Sequence, residues 1–144
     1  QETTELSEQP LLAGLSPEEL MALGSLATVR SYRAGEKIIA AGDAATSIFF
    51  LRSGAVLVSL PGGVRLATLT AGMAFGEMAL LEPTRSADVT ADMAATAIEI
   101  PLREFERFSR QHQRAGERIM RNLAQLLAGR LIVANTKIDL LTSN

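Results

Sequence analysis

Phe75-Gly76-Glu77-Met78-Ala79-Leu80-Leu81-Glu82-Pro83-Thr84-Arg85-Ser86-Ala87 interrupts an otherwise regular series of short apolar runs. Met78 to Leu81 have the length of one helical turn, and Pro83 stops it. A turn so short has most of its backbone N–H groups unpaired. Those donors point out of the N-terminus, where an anion is favoured. Gly76, just upstream, lets a ligand approach the backbone closely. Arg85 is expected on the following strand, where its planar fork can bind two phosphate oxygens at once. Glu77, when ionised, only accepts hydrogen bonds, so beside a phosphate it needs a hydroxyl to face. A sugar 2′-OH is the natural partner. Arginine for phosphate and carboxylate for ribose imply a nucleotide whose phosphate and ribose are held close together.

Around this stretch, from Thr28 to Ile100, glycines at 35, 42, 54, 62, 63 and 72 punctuate short apolar runs. The runs are Lys37–Ala41, Ser47–Leu51, Ala55–Leu60, Val64–Leu69 and Thr96–Ile100. Such spacing predicts a mainly β fold, a β-roll or jelly-roll barrel, over about 28–100. Pro61-Gly62-Gly63 reads as a tight hairpin and Arg33-Ala34-Gly35-Glu36 as a further turn. Upstream, Ser16-Pro17-Glu18-Glu19 is a helix start, with Leu20, Leu23 and Leu26 as its apolar face. Residues 1–13 read as a tail or linker, because Gln1 to Gln9 is polar and acidic.

Downstream, Pro101 opens a helical pattern in which Phe105 and Phe108 lie one turn apart. Gly116 is the expected break between two helices. The second carries Ile119, Leu123, Leu127, Leu131, Ala134, Ile138 and Leu141 on one stripe. The chain is thus one domain over 14–144, with its closing helices at about 101–141.

Composition removes several function classes. A net charge of −2 argues against a nucleic-acid surface, which needs a basic face. The absence of cysteine removes disulfides, thiolate catalysis and cysteine-bound zinc, and fits a reducing cytoplasm. A single histidine, His112, supplies neither a metal cage nor a serine triad, and it is expected on an exposed helix face. No run approaches the ~18 apolar residues of a membrane span. No metal and no catalytic residue is expected, and the chain reads as a binding module and not as an enzyme.

The stretch from Phe75 to Leu81, followed by Arg85-Ser86-Ala87, resembles the phosphate-binding cassette of cyclic-nucleotide-binding domains. This is the family of catabolite activator proteins, protein kinase A regulatory subunits and cyclic-nucleotide-gated channels. Gly14-Leu15-Ser16, Arg33 to Glu36, Gly42-Asp43 and Phe50 to Gly54 fall where that family has similar stretches. The cassette and the final helix are similar to those of bacterial members. The resemblance implies that Glu77 binds the ribose 2′-OH and Arg85 the cyclic phosphate. Backbone amides near Met78, Ala79 and Ser86 would complete the phosphate hole, with Gly76 and Ala87 completing the cassette. Ser86 leans the ligand towards cAMP, although a serine hydroxyl also bonds guanine, which leaves cGMP open. The final helix resembles the family's lid and dimer contact, placing Arg130 and Asn135 as candidate base contacts. The Glu77-to-Arg85 loop is about one residue shorter than in well-known members.

The resemblance also implies an effector, such as an enzyme or a transporter, attached to the domain and controlled by movement of its C-terminal helices. A β-roll that has kept the fold and the dimer helix but lost its ligand is the alternative reading.

Overall fold

The computed structural model describes residues 6–142 along the backbone and side chains as far as Gly129. A 3-10 turn at Pro10–Leu12 leads into helix α1, Pro17–Gly24. Ser16 caps α1 in a reciprocal capping box: its hydroxyl accepts from the Glu19 N–H while the Glu19 carboxylate accepts from the Ser16 N–H. Eight strands follow: β1 (Thr28–Tyr32), β2 (Lys37–Ile39), β3 (Ser47–Ser53), β4 (Ala55–Ser59), β5 (Arg65–Thr70), β6 (Ala74–Phe75), β7 (Asp88–Ala91) and β8 (Ala95–Pro101). A 3-10 helix, Glu77–Leu80, separates β6 from β7. Helices α2 (Leu102–Gln111) and α3 (Gln113–Thr142) close the chain.

The strands form two four-stranded antiparallel sheets, ordered β1-β8-β3-β6 and β2-β7-β4-β5, which is the expected β-roll. β3 explains how the layers stack. Its alternate residues Phe49 and Leu51 enter the core between the sheets, while Ile48 and Phe50 pack against the helices. Both faces are therefore buried, and the strand reads as a continuous apolar run without alternation. On β8 the small Ala95 and Ala97 face the inter-sheet core, and Ile98 and Ile100 face the helices. Phe49 stacks on Phe75 with ring centroids 4.8 Å apart, tying β3 to the start of the cassette. The hairpin at Pro61-Gly62-Gly63 joins β4 to β5, with the Val64 carbonyl accepting from the Leu60 N–H at 2.8 Å.

Three local expectations need correction. Leu6, Leu11 and Leu12, placed by the sequence in a tail, are almost fully buried beside Phe108, Ile119 and Leu123. Polar neighbours conceal these leucines from a composition reading. The two final helices part at His112, not at Gly116. Gly116 lies inside α3 where Ser109 of α2 crosses it, and a Cβ there would stand 2.9 Å from the Ser109 Cβ. It is a close-packing glycine and not a breaker. His112 is only partly exposed, its ring stacked on Phe108 at 4.8 Å.

Candidate functional site

The cassette's geometry begins at Gly76, whose φ of +69° turns the chain from β6 into the short helix. A Cβ on Gly76 would lie 3.0 Å from Arg85 Nη1 and 3.1 Å from side-chain carbons of Ile39 and Phe49. Glycine here therefore admits the guanidinium as well as permitting the turn. Arg85 donates from Nη1 to the Gly76 carbonyl at 2.8 Å and from Nη2 to the Ser47 carbonyl at 2.6 Å.

Arg85 is not on a strand, as the sequence suggested. It lies in the segment before β7, pinned by a bridge between Thr84 and Ala44 and by its own N–H donating to the Asp43 carbonyl at 2.8 Å. Burial pushes the Arg85 guanidinium below the usual arginine value, while the charges of Glu77 and Glu99 oppose that shift. Arginine remains charged under such conditions, so a half-buried cation faces the cavity. The guanidinium carries five N–H donors, of which the Gly76 and Ser47 carbonyls each engage one.

Glu77 is the first residue of the short helix and is only 7% exposed. A carboxylate buried this deeply needs polar or charged company, and the guanidinium of Arg85 supplies part of it.

All seven cassette residues expected at the site, Gly76, Glu77, Met78, Ala79, Arg85, Ser86 and Ala87, line one cavity of about 400 Å³. This lies within the range of small-molecule sites, roughly 300–1,000 Å³. The remaining wall is largely aliphatic: Ile39, Ala45, Val58, Leu66, Ala67, Leu69, Phe75 and Val89, with Thr84 adding a hydroxyl. Apart from Phe75 and Thr84, these wall residues escaped the sequence reading. Those that escaped come from four different strands and one loop, three of them from β5, and only the inward parity of Val58 and Val89 hints at them. The cavity is polar and cationic at the cassette and apolar towards β4 and β5. Such a gradient suits a ligand with an anionic end and a flat, weakly polar end.

The side chains of Arg130 and Asn135, the candidate base contacts, lie outside the described residues. Among the described residues no cluster of histidine, aspartate or glutamate has the makings of a metal site, and no helix is long and apolar enough to cross a membrane.

Two further cavities border the short helix. One of about 620 Å³ separates Ala79 and Leu80 from α2 and α3. Another of about 270 Å³ is shared by Glu77, Leu11 of the first 3-10 turn and Leu126 of α3. The short helix thus has open space on the sides facing the closing helices.

Comparison with known proteins shows where the chain and its fold recur. The chain is 73% identical over 142 residues to Glutaminase 1 of Bradyrhizobium diazoefficiens, covering 99% of this chain but only 23% of that protein. It is 34% identical to the cyclic AMP receptor protein of Thermus thermophilus over 92% of this chain and 62% of the relative. The crystal structure of the Thermus thermophilus catabolite activator protein superposes with a TM-score of 0.76, covering 93% of this chain and 63% of that one, at 34% identity. The chain therefore spans about a quarter of the length of its glutaminase relative and under two thirds of the receptor protein. Residues 29–112, from β1 to the end of α2, match the model of the cyclic nucleotide-binding domain, and with a cassette folded around Arg85 and a two-sheet roll behind it, the chain belongs to that family.

Proposed function

We propose that this chain is a regulatory sensor whose ligand is cAMP and whose closing helices pass the binding event to an attached effector. One observation carries the reading. Arg85, the N-terminus of the short helix and Glu77 converge on a single cavity that is cationic at one end and aliphatic at the other. In this reading Arg85 and the amides near Met78, Ala79 and Ser86 hold the cyclic phosphate. Glu77 accepts from the ribose 2′-OH, Gly76 and Ala87 keep the backbone close, and the base lies against Val58, Leu66 and Leu69. Arg130 and Asn135 of α3 are the proposed base contacts from the lid. Serine at 86 favours cAMP, with cGMP as the competing ligand.

The space beside the short helix supports the transmission step. Drawing Glu77–Leu80 towards a ligand lets α2 and α3 repack, and the ligand biases that equilibrium by its differential affinity for the two arrangements. The apolar continuation of the stripe beyond the core residues Ile119 and Leu123, namely Leu131, Ala134, Ile138 and Leu141, supports self-association through α3. The relatives' name supports a glutaminase as the attached effector, with catalysis residing outside this chain, in the cytoplasm where a cyclic-nucleotide messenger acts. Thermal unfolding with and without cAMP tests the proposal. A ligand at 100 times its dissociation constant stabilises by about 2.7 kcal/mol, a rise of several degrees for a domain of this size. An unchanged melting temperature, together with no heat on calorimetric titration, overturns the sensor and leaves the ligand-free roll.

A further inference from the structure

Helix α3 presents three donors at four-residue spacing to one target. Asn122, 4% exposed, donates from Nδ2 to the Leu11 carbonyl at 2.9 Å and to the Ala13 carbonyl at 2.8 Å. Arg118 donates from Nε to the Ala13 carbonyl at 3.2 Å. Arg114 donates from Nη2 to the Gly14 carbonyl at 3.0 Å and pairs with Glu19 at 2.6 Å. Residues at i, i+4 and i+8 share one helix face. The acceptors are carbonyls at and just past the end of the first 3-10 turn, where a helix lacks internal partners. Gly14 is shaped to this contact: its φ is +90°, and a Cβ there would lie 2.7 Å from Arg118 Nε. Beneath the polar contacts, Leu11 and Leu12 pack with Ile119 and Leu123 in one core.

We propose that Arg114, Arg118 and Asn122 form a latch that makes the segment Leu6–Gly14 move with α3, so that ligand-driven motion of the closing helix is delivered to the N-terminal side of the domain. The latch rests on the geometry above, and its response to ligand rests on the sensor reading. A domain that makes up 23% of its longer relative has to signal through its chain ends or its surface. The latch ties one of those ends to the helix that closes on the ligand.

Hydrogen exchange on the whole chain tests it, comparing the wild type with Arg114→Ala/Arg118→Ala and with Gly14→Ala. The amides of Gln9, Leu12, Ala13 and Leu15 are protected by turn hydrogen bonds and report the segment. Without ligand, both variants should exchange about tenfold or more faster at these amides, with β4 and β7 unchanged. Unchanged exchange at 9–15 overturns the latch. With saturating cAMP, the wild type should change protection in both 9–15 and 113–129, and the arginine variant in 113–129 alone. A segment that still responds in the arginine variant, or stays silent in a wild type that binds cAMP, overturns the coupling. Absence of cAMP binding to the wild type overturns the sensor reading instead, and the ligand-free comparison then decides the latch by itself.

Discussion

The Arg85 guanidinium reaches back across the cassette to the Gly76 carbonyl at 2.8 Å, closing the ten-residue loop Gly76–Arg85 on itself. With the Ser47 carbonyl holding Nη2, both prongs of the fork are fixed by backbone carbonyls, which limits the side-chain entropy a ligand has to remove. Arg85→Ala should lower cAMP affinity at least ~100-fold, since charged hydrogen bonds contribute about 1.5–3 kcal/mol each. Arg85→Lys should recover little, because an ammonium cannot reproduce the two-pronged contact. Titration calorimetry measures both; wild-type affinity in the alanine variant removes Arg85 from the site.

Glu77 makes a prediction separable from folding. If its carboxylate accepts from the ribose, Glu77→Gln should weaken cAMP by about tenfold but leave 2′-deoxy-cAMP unchanged, because the deoxy ligand has already lost that contact. Equal losses for both ligands would assign Glu77 a structural part only, as a buried charge beside Arg85.

The cassette was legible in the sequence because its parts are local. A helix-stopping proline, a permissive glycine and a charged pair lie within 13 consecutive residues, and each acts on its own neighbours. The roll was legible from its glycine punctuation, and α1 from its Ser16-Pro17 start and the two acids that follow. What escaped is non-local. Ile39, Val58, Leu66 and Leu69 meet only when β2, β7, β4 and β5, far apart in sequence, assemble into one sheet. Leu11 and Leu12 become core only once α3 lies across them. The α2–α3 boundary at His112 carries no glycine or proline to announce it; the His112 ring stacks back on Phe108 one turn earlier. Gly116 misled because a glycine that admits a neighbouring helix looks, in sequence, like one that ends its own.

Gly54 is a position where the roll tolerates no side chain. Its φ is +84°, and a Cβ would stand 2.3 Å from the Ala94 carbonyl oxygen. Backbone has to move to relieve that contact, so Gly54→Ala should cost about 2–3 kcal/mol of stability. A denaturant midpoint within error of the wild type would contradict this packing between the β3–β4 turn and the start of β8.

Tyr32 is the only tyrosine, so its ionisation can be read directly from phenolate absorbance. Burial raises its pKa to about 12, with the charge of Glu99 adding to the shift and Arg30 opposing it. The folded state therefore holds the phenolic proton more tightly than the unfolded chain, which titrates near 10. Its contribution to stability is complete below pH ~10 and is lost as the pH rises towards 12. Glu99→Gln should lower the midpoint towards 10. A native titration already centred near 10 would contradict the partly buried position at the end of β1.

At the opposite end of the pH scale, Glu19 serves two partners at once. Its carboxylate accepts from the Ser16 N–H at 2.7 Å and pairs with Arg114 at 2.6 Å. The backbone hydrogen bond is the main cause that holds its pKa below the ordinary glutamate value, and Arg114 adds to it. A depressed folded-state pKa stabilises above the unfolded value of ~4.3 and ceases to do so as the pH falls through the folded one. Ser16→Ala should cost about 1 kcal/mol at neutral pH by removing one half of the capping box. Glu19→Gln should destabilise at pH 7, and the deficit should shrink as the solution is acidified below ~4. Melting curves of both variants across that range give the answer. A Glu19→Gln deficit independent of pH would mean that shape, and not charge, holds α1 against α3.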